Sequence, residues 1–318
     1  MADSPGYSPG SVRIIRTRMR NVILFAAVFA AASAQAQIAV RDDSGQMLRL
    51  AQPARRIVSL APHLTELLFA AGAGAQVVGV LQHSDYPPEA RALPLVGDDA
   101  TLDLERILAL EPDLAIAWPS ASHRRQFARL AALGIPVFQS EQRELEDIAR
   151  TLEVLGALTG HGAPAGAAAQ AFRARVADLA RRHAERPPVR VFFQVWGGPL
   201  ITVNGAHLIS KLLRMCGGEN VFAGLPVLAP HIDREAVLAA NPEAILASVS
   251  GSTMEGWRAP WLAFHSIAAV RDGNLFEVPA ELTQRHTPRI LDGAARICAD
   301  LEAARARRRE APRGTSAR

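Results

Sequence analysis

Only two cysteines occur in the 318 residues, and no C-x-x-C pair, so redox catalysis and cysteine-based metal binding lack their usual spacing. The chain also lacks a G-x-S-x-G elbow, a Walker A loop, an H-E-x-x-H helix and a G-x-G-x-x-G turn. These absences remove the motif-level case for hydrolysis on the elbow plan, P-loop phosphate binding, zinc proteolysis and dinucleotide binding. Nine histidines are present, but His63, His83, His231 and His265 lie far apart and no pair shows ligand spacing, so no metal site is expected. Basic stripes interleaved with aromatics are missing too. The net charge of +4 comes largely from the ends: Arg13, Arg16, Arg18 and Arg20 at one, Arg305, Arg307, Arg308, Arg309, Arg313 and Arg318 at the other. Acids and bases nearly balance between them, and nucleic acid is not an expected partner.

Long apolar runs are equally scarce. Val22 to Ala32 is the strongest, and it is too short to span about 30 Å of hydrocarbon. With Arg18 and Arg20 before it and Ala34-Gln35-Ala36 after it, it has the order of a secretory signal: basic region, short apolar region, A-x-A cleavage site. Residues 1–36 are therefore read as presequence and signal peptide, with Met19 a plausible start, and the mature protein as exported. No cysteine follows the apolar run, so lipid anchoring is not expected. In an oxidising compartment an isolated pair, Cys216 and Cys298, is expected to be bridged. Closing a loop of about 80 residues gives roughly 4–5 kcal/mol in the chain-entropy account, an upper figure.

What the chain does have is alternation. Strand patterns at Arg56–Ala61, Val77–Leu81, Leu93–Gly97, Leu114–Trp118 and Pro136–Ser140 alternate with helix patterns in residues 37–160. The same grammar returns in residues 188–303, with strands at Val189–Val195, Leu200–Val203, Ala244–Val249 and Leu275–Val278. Apolar strands alternating with helices imply an α/β fold: two lobes with mainly parallel sheets flanked by helices. Residues 304–318 read as a disordered basic tail.

Between the lobes, residues 161–187 read as one long backbone helix. Ala165, Ala169, Phe172, Val176 and Leu179 stripe one face, and Pro187-Pro188 ends it. At about 1.5 Å per residue it would run roughly 35 Å. Gly166 is the odd residue in it, and a start beyond Gly166 is expected. An internal echo links the lobes: Leu104–Ile116 and Arg234–Leu246 are each an acid-led helix, an x-Pro-acid turn and a buried strand. Glu105 and Glu235 thereby occupy equivalent first-turn positions. Helix-dipole compensation accounts for either alone, at a few tenths of a kcal/mol. Trp118 and Trp196 end strands of opposite lobes, where α/β sheets place ligands, so both are candidate contact surfaces.

From Arg56 to Ala303 the chain resembles the periplasmic cobalamin-binding proteins of ABC importers. These belong to a wider class for cobalamin, haem, siderophores and metals whose lobes are joined by one rigid backbone helix. The matching stretches are Arg56–Pro62 with Thr65-Glu66-Leu67, Ser84-Asp85-Tyr86-Pro87-Pro88, Leu104–Ile107, Pro112–Leu114 with Ala117-Trp118, Cys216–Phe222, Arg234-Glu235, and Thr287–Ile290 with Cys298. The resemblance implies that Glu105 and Glu235 dock onto arginines of a membrane permease and that Cys216 and Cys298 form the family's disulfide. It implies that Trp118 is a cleft aromatic, that Arg285 faces the ligand, and that Glu281 is the acid of the same segment. His83 stands where the best-known relative has a ligand-contacting Tyr, beside Tyr86, and Trp196 is a local addition. The implied cargo is cobalamin, with no resident cofactor. The implied partners are the permease and ATPase complex of an inner membrane, and the protein is expected to be a monomer. Haem or a ferric siderophore is the alternative cargo, and a periplasmic hydrolase the weakest alternative.

Overall fold

The computed structural model describes residues 1, 2, 6, 37–119, 123–250 and 256–310. The signal-peptide reading, apart from residues 1, 2 and 6, and the last part of the expected tail (311–318) lie outside the described residues. An antiparallel hairpin, β1 (Ile38–Arg41) and β2 (Met47–Leu50), opens the fold. The first lobe follows with β3 (Ile57–Leu60), α1 (Pro62–Ala70), β4 (Val77–Val80), α2 (Leu104–Ala109), β5 (Leu114–Ala117), α3 (Arg124–Ala132), β6 (Val137–Gln139) and α4 (Leu145–Thr159). Then comes the long helix α5 (Gly162–His183). The second lobe runs β7 (Val189–Gln194), β8 (Trp196–Gly197), β9 (Leu200–Ile201), α6 (Leu208–Met215), β10 (Gly218–Asn220) and α7 (Arg234–Ala240). It closes with β11 (Ala244–Val249), α8 (Ala259–Leu262), α9 (Ala268–Arg271), β12 (Leu275–Pro279) and α10 (Ile290–Glu310).

Both main sheets are fully parallel, in the orders β4-β3-β5-β6 and β10-β7-β11-β12. In each lobe the first strand lies between the second and the third, with the fourth at the edge. The strands are short and apolar because helices cover both faces; β3 and β5 are buried at every position.

The internal echo is a repeated piece of hydrogen bonding. In the first lobe the backbone N–H of Arg56 donates to Asp113 Oδ1 (3.0 Å), and its side chain to the carbonyl of Leu110 at the end of α2. In the second, the N–H of Arg190 donates to Glu243 Oε2 (2.9 Å), and its side chain to the carbonyls of Ala240 and Asn241 at the end of α7. Each arginine satisfies helix-end carbonyls that have no partner within the helix. Both helices also start alike: Asp103 accepts from the Arg106 N–H (2.9 Å) and Asp233 from that of Ala236 (2.7 Å).

The long helix joins the lobes into one body. Ala165, Ala169 and Phe172 are buried, and Val176 and Leu179 pack against a core that contains Leu64 and Leu152 of the first lobe with Val191, Leu212 and Ile297 of the second. Polar ties reinforce it: Arg173 pairs with Glu146 and Glu153 of α4, and Arg175 with Asp292 of α10 (2.7 Å). A core shared along this side opposes wide hinge motion, because interiors this densely packed deform little. Two further cores, one per lobe, lie on the outer faces of the sheets.

Four expectations need correction. The helix α5 starts at Gly162, not beyond Gly166. Ala165 is buried with its Cβ close to Gly156 of α4, so helix-helix packing outweighs the glycine cost. Leu93–Gly97 forms no strand; Pro94 has no N–H to donate, and only isolated bridges, Val80 to Leu95 and Gly97 to Leu102, remain. Leu200–Val203 contributes two residues to a small antiparallel hairpin with β8, outside the parallel sheet. The tail expected from residue 304 is helical through Glu310, and Arg305 is 2% exposed. Its guanidinium donates to the carbonyls of Pro187 (2.7 Å), Cys216 (2.8 Å) and Gly217 (3.0 Å), which a solvated tail would leave unsatisfied. The edge strand β10 and the short helices α8 and α9 carried no periodic signal long enough to be read.

Cys216 and Cys298 form a disulfide between the end of α6 and α10. No described helix is long and apolar enough to cross a membrane.

Candidate binding cleft between the lobes

Parallel strands of both sheets deliver their C-terminal ends to one place, a cleft of about 1080 Å³ between the lobes. Leu60, Leu81 and Trp118 follow or end β3, β4 and β5; Val195, Ser250 and Ala280 do the same for β7, β11 and β12. Crevices at strand C-termini are where open α/β sheets bind ligands. The cleft brings together all six candidate ligand residues: His83, Tyr86, Trp118, Trp196, Glu281 and Arg285.

Three of them are large aromatics left open to water. Tyr86, Trp118 and Trp196 are 41, 45 and 40% exposed, whereas Trp257 and Trp261 are 6 and 2% exposed. Exposing three flat apolar surfaces to water at one cavity is unfavourable unless a ligand covers them. His63, at the start of α1, meets Trp118 edge-on with ring centroids 6.1 Å apart. Burial, followed by the nearby His286 and Arg285, pushes the His63 imidazole down to about 3, so it is neutral near pH 7.

Charge is concentrated on the side where α1 faces the start of α10. Glu66 of α1, whose side chain is 2% exposed, accepts from Arg285 Nη1 at 3.0 Å, and from Arg289 Nε at 3.0 Å and Nη2 at 2.8 Å. Arg285 also reaches Asp85 Oδ1 at 2.5 Å and the His83 carbonyl at 3.1 Å. Partial burial opposes ionisation of Asp85, yet the Arg285 guanidinium holds its carboxyl below the ordinary range. Arg289 lies over the Tyr86 ring, its Cζ 3.7 Å from the centroid. Two arginines of the second lobe thus clasp two acids of the first. His83, whose carbonyl completes the clasp, has φ +67 and an exposed side chain at the cavity wall.

Glu66 and Arg289 were missed as site residues from sequence, although both lay in quoted stretches. A lone acid among Leu64, Thr65, Leu67 and Leu68 was the available signal, since an unpaired carboxylate is rarely buried. Asp85 likewise lay in a quoted stretch, beside Tyr86, and was not singled out; His63 carried no local signal. Glu105 and Glu235 lie outside the cleft lining and are exposed in the first turns of α2 and α7. Both helices lead into the third strand of their lobe. Their N-termini therefore sit at the same end of each sheet as the cleft.

A family model described as periplasmic binding protein matches residues 57–282. The chain belongs to this family. It is 38% identical over 255 residues, 79% of this chain and 91% of the relative, to the vitamin B12-binding protein of Vibrio cholerae. A vitamin B12-binding protein of Yersinia pestis is also 38% identical, over 251 residues covering 79% of this chain and 88% of the relative. Among solved structures, the periplasmic vitamin B12 binding protein of Vibrio cholerae superposes with a TM-score of 0.72, covering 80% of this chain and 98% of that one. A periplasmic heme-binding protein from Roseiflexus, 26% identical, superposes at 0.70 over 79% of this chain and 99% of that one. The relatives are transport binding proteins, and the α/β architecture with a long connecting helix is common to this group.

Proposed function

We propose that the protein captures a corrinoid, cobalamin, in the interlobe cleft and delivers it to the permease and ATPase complex of an ABC importer. The observation that carries this is that Trp118 and Trp196, one from each lobe and both exposed, line the same cleft of about 1080 Å³. A flat, amide-fringed macrocycle fits such walls, with apolar faces against indoles and polar edges toward Glu281 and Arg285. Cobalamin is cargo in this reading, so no residue takes a catalytic role and no resident cofactor is required. Glu105 and Glu235 are the docking residues, one per lobe at the cleft end of each sheet, held at a fixed separation by the shared core. The relatives named above support periplasmic transport.

Titration with cyanocobalamin, followed by Trp fluorescence, tests the cargo. Saturable quenching with Kd below about 10 μM, near −7 kcal/mol, is expected, and its absence refutes the corrinoid reading. Haem is the second reading, favoured by His83 and Tyr86 at the cavity wall as nitrogen and oxygen ligands for iron. A haemin titration with a shifted Soret band and no response to cyanocobalamin would select it. For docking, Glu105→Ala with Glu235→Ala should abolish uptake while leaving cargo affinity unchanged. Weakened affinity would place these residues in the cargo site instead.

A further inference from the structure

The charged side chains that line the cleft fall into two sets, those already answered by a partner and those left open. Arg285 and Arg289 are engaged by Glu66 and Asp85, and the Asp85 carboxylate in turn by Arg285. Arg91, the third arginine of the lining, sits on the same side and donates from Nε to the Asp85 carbonyl (3.1 Å). Two carboxylates remain, one on each lobe. Glu281, half-buried just after β12, has no hydrogen-bond or ion-pair partner among the described residues. Asp99 stands in the turn of the first lobe that the Gly97–Leu102 bridge closes. Its neighbour Asp98 is occupied by that turn, accepting from the N–H groups of Ala100 and Thr101, both at 2.8 Å. Asp99 is exposed to the cleft and, like Glu281, has no partner among the described residues.

With Glu66 behind the wall, three arginines meet four acids around this cleft, so its excess charge is negative. An open carboxylate accepts N–H donors in charge-assisted hydrogen bonds. It repels a second carboxylate, whose burial without a cation is costly. We propose that Asp99 and Glu281 make the cleft select a macrocycle whose rim carries primary amides over one whose rim carries carboxylates. This rests on the corrinoid reading and sharpens it. A corrin fringed with acetamide and propionamide groups is accepted; a corrin bearing unamidated acids, or a porphyrin with two propionates, is disfavoured. Rim NH2 groups donate to Asp99 and Glu281 while Trp118 and Trp196 take the flat ring. Aromatic contact holds any large macrocycle, and the two carboxylates decide among them.

The experiment titrates the wild-type protein, Asp99→Asn, Glu281→Gln and the double variant, reading Trp fluorescence. The probes are cyanocobalamin, its separated monocarboxylates (one propionamide each hydrolysed to the acid) and haemin. The wild type should bind at least one monocarboxylate about tenfold more weakly than cyanocobalamin, which is about 1.4 kcal/mol. In the double variant cyanocobalamin should weaken about threefold, that monocarboxylate should tighten about threefold and haemin about tenfold, with each single variant giving part of the shift. Opposite signs for the amide and acid forms separate this from damage to the fold, which weakens every ligand. Equal weakening of all ligands overturns the proposal, as does a wild type that does not distinguish the monocarboxylates from cyanocobalamin. Discrimination that persists in the double variant assigns it to other residues and overturns it as well. Should cyanocobalamin fail to bind the wild type, the corrinoid reading fails separately and haemin decides. Tighter haemin in the double variant retains selection against carboxylates; unchanged, weaker or absent haemin binding removes it.

Discussion

Replacing Glu66 by Gln should loosen the clasp between the lobes, and its cost follows from the geometry. Three charge-assisted hydrogen bonds of 2.8–3.0 Å end on this carboxylate. Each such bond contributes about 1.5–3 kcal/mol. Oε1 accepts two of the bonds and Oε2 one, so an amide with its carbonyl in the Oε1 place loses one bond outright, turns an NH2 toward Arg289 Nε, and leaves the other two without the carboxylate charge. Arg285 and Arg289 are 18 and 20% exposed, and Arg285 keeps Asp85, so water and Asp85 recover part of the loss. A net destabilisation of about 2–3 kcal/mol is expected, just under the cost of breaking a fully buried pair. Urea unfolding of the cargo-free protein measures it. With an m-value near about 3 kcal/mol/M, the midpoint should fall by about 0.7–1 M. A double-mutant cycle with Arg289→Gln isolates the pair and should give a coupling of about 1–2 kcal/mol. Additivity within about 0.5 kcal/mol would refute the clasp, because the two side chains would then act independently.

Truncation after Ala303 should destabilise the protein by about 3 kcal/mol or more, since the carbonyls of Pro187, Cys216 and Gly217 lose their shared donor, Arg305. Truncation after Glu310 should be silent in the same melt; equal effects would restore the disordered-tail reading. Burial pushes the Asp300 carboxyl up to about 6, with Arg296 offsetting only part of it. A folded-state value above the ordinary one means stability present at low pH is lost as pH rises from about 4 through 6. Asp300→Asn should accordingly raise stability over wild type at pH 7.5 and not at pH 4; a gain equal at both pH values contradicts this. Replacing Cys216 and Cys298 together by Ala should cost about 2–5 kcal/mol, read as a lower Tm that matches reduced wild type. An unchanged Tm would mean that the bridge contributes nothing.

Legibility from sequence tracked how local each interaction is. The β11 limits, Ala244–Val249, were read correctly because an apolar run and the Asn241-Pro242 turn that precedes it fall within a dozen residues. Trp118 and Trp196 could be nominated because each closes an apolar strand. The Glu66 clasp could not be assembled, since its partners lie 219 and 223 residues away. The Arg305 contacts, 88 to 118 residues away, were hidden for the same reason, and a basic run at a chain end reads as solvated unless its acceptors are known. Gly166 misled in the opposite direction: propensity placed the helix start after it, and the packing of Ala165 on Gly156 placed it before.

By itself the sequence determined the two-lobed α/β plan, the helix between the lobes, the repeated helix-turn-strand unit and the cysteine pair, because these follow from periodicity, caps and composition over short spans. Only the tertiary structure decided that one core runs through both lobes, that an arginine repeats its role at Arg56 and Arg190, and that Trp118 and Trp196 line one cleft. Those features depend on which distant surfaces meet. Chain entropy and packing decide that for the folded molecule as a whole, and no short window of residues contains it.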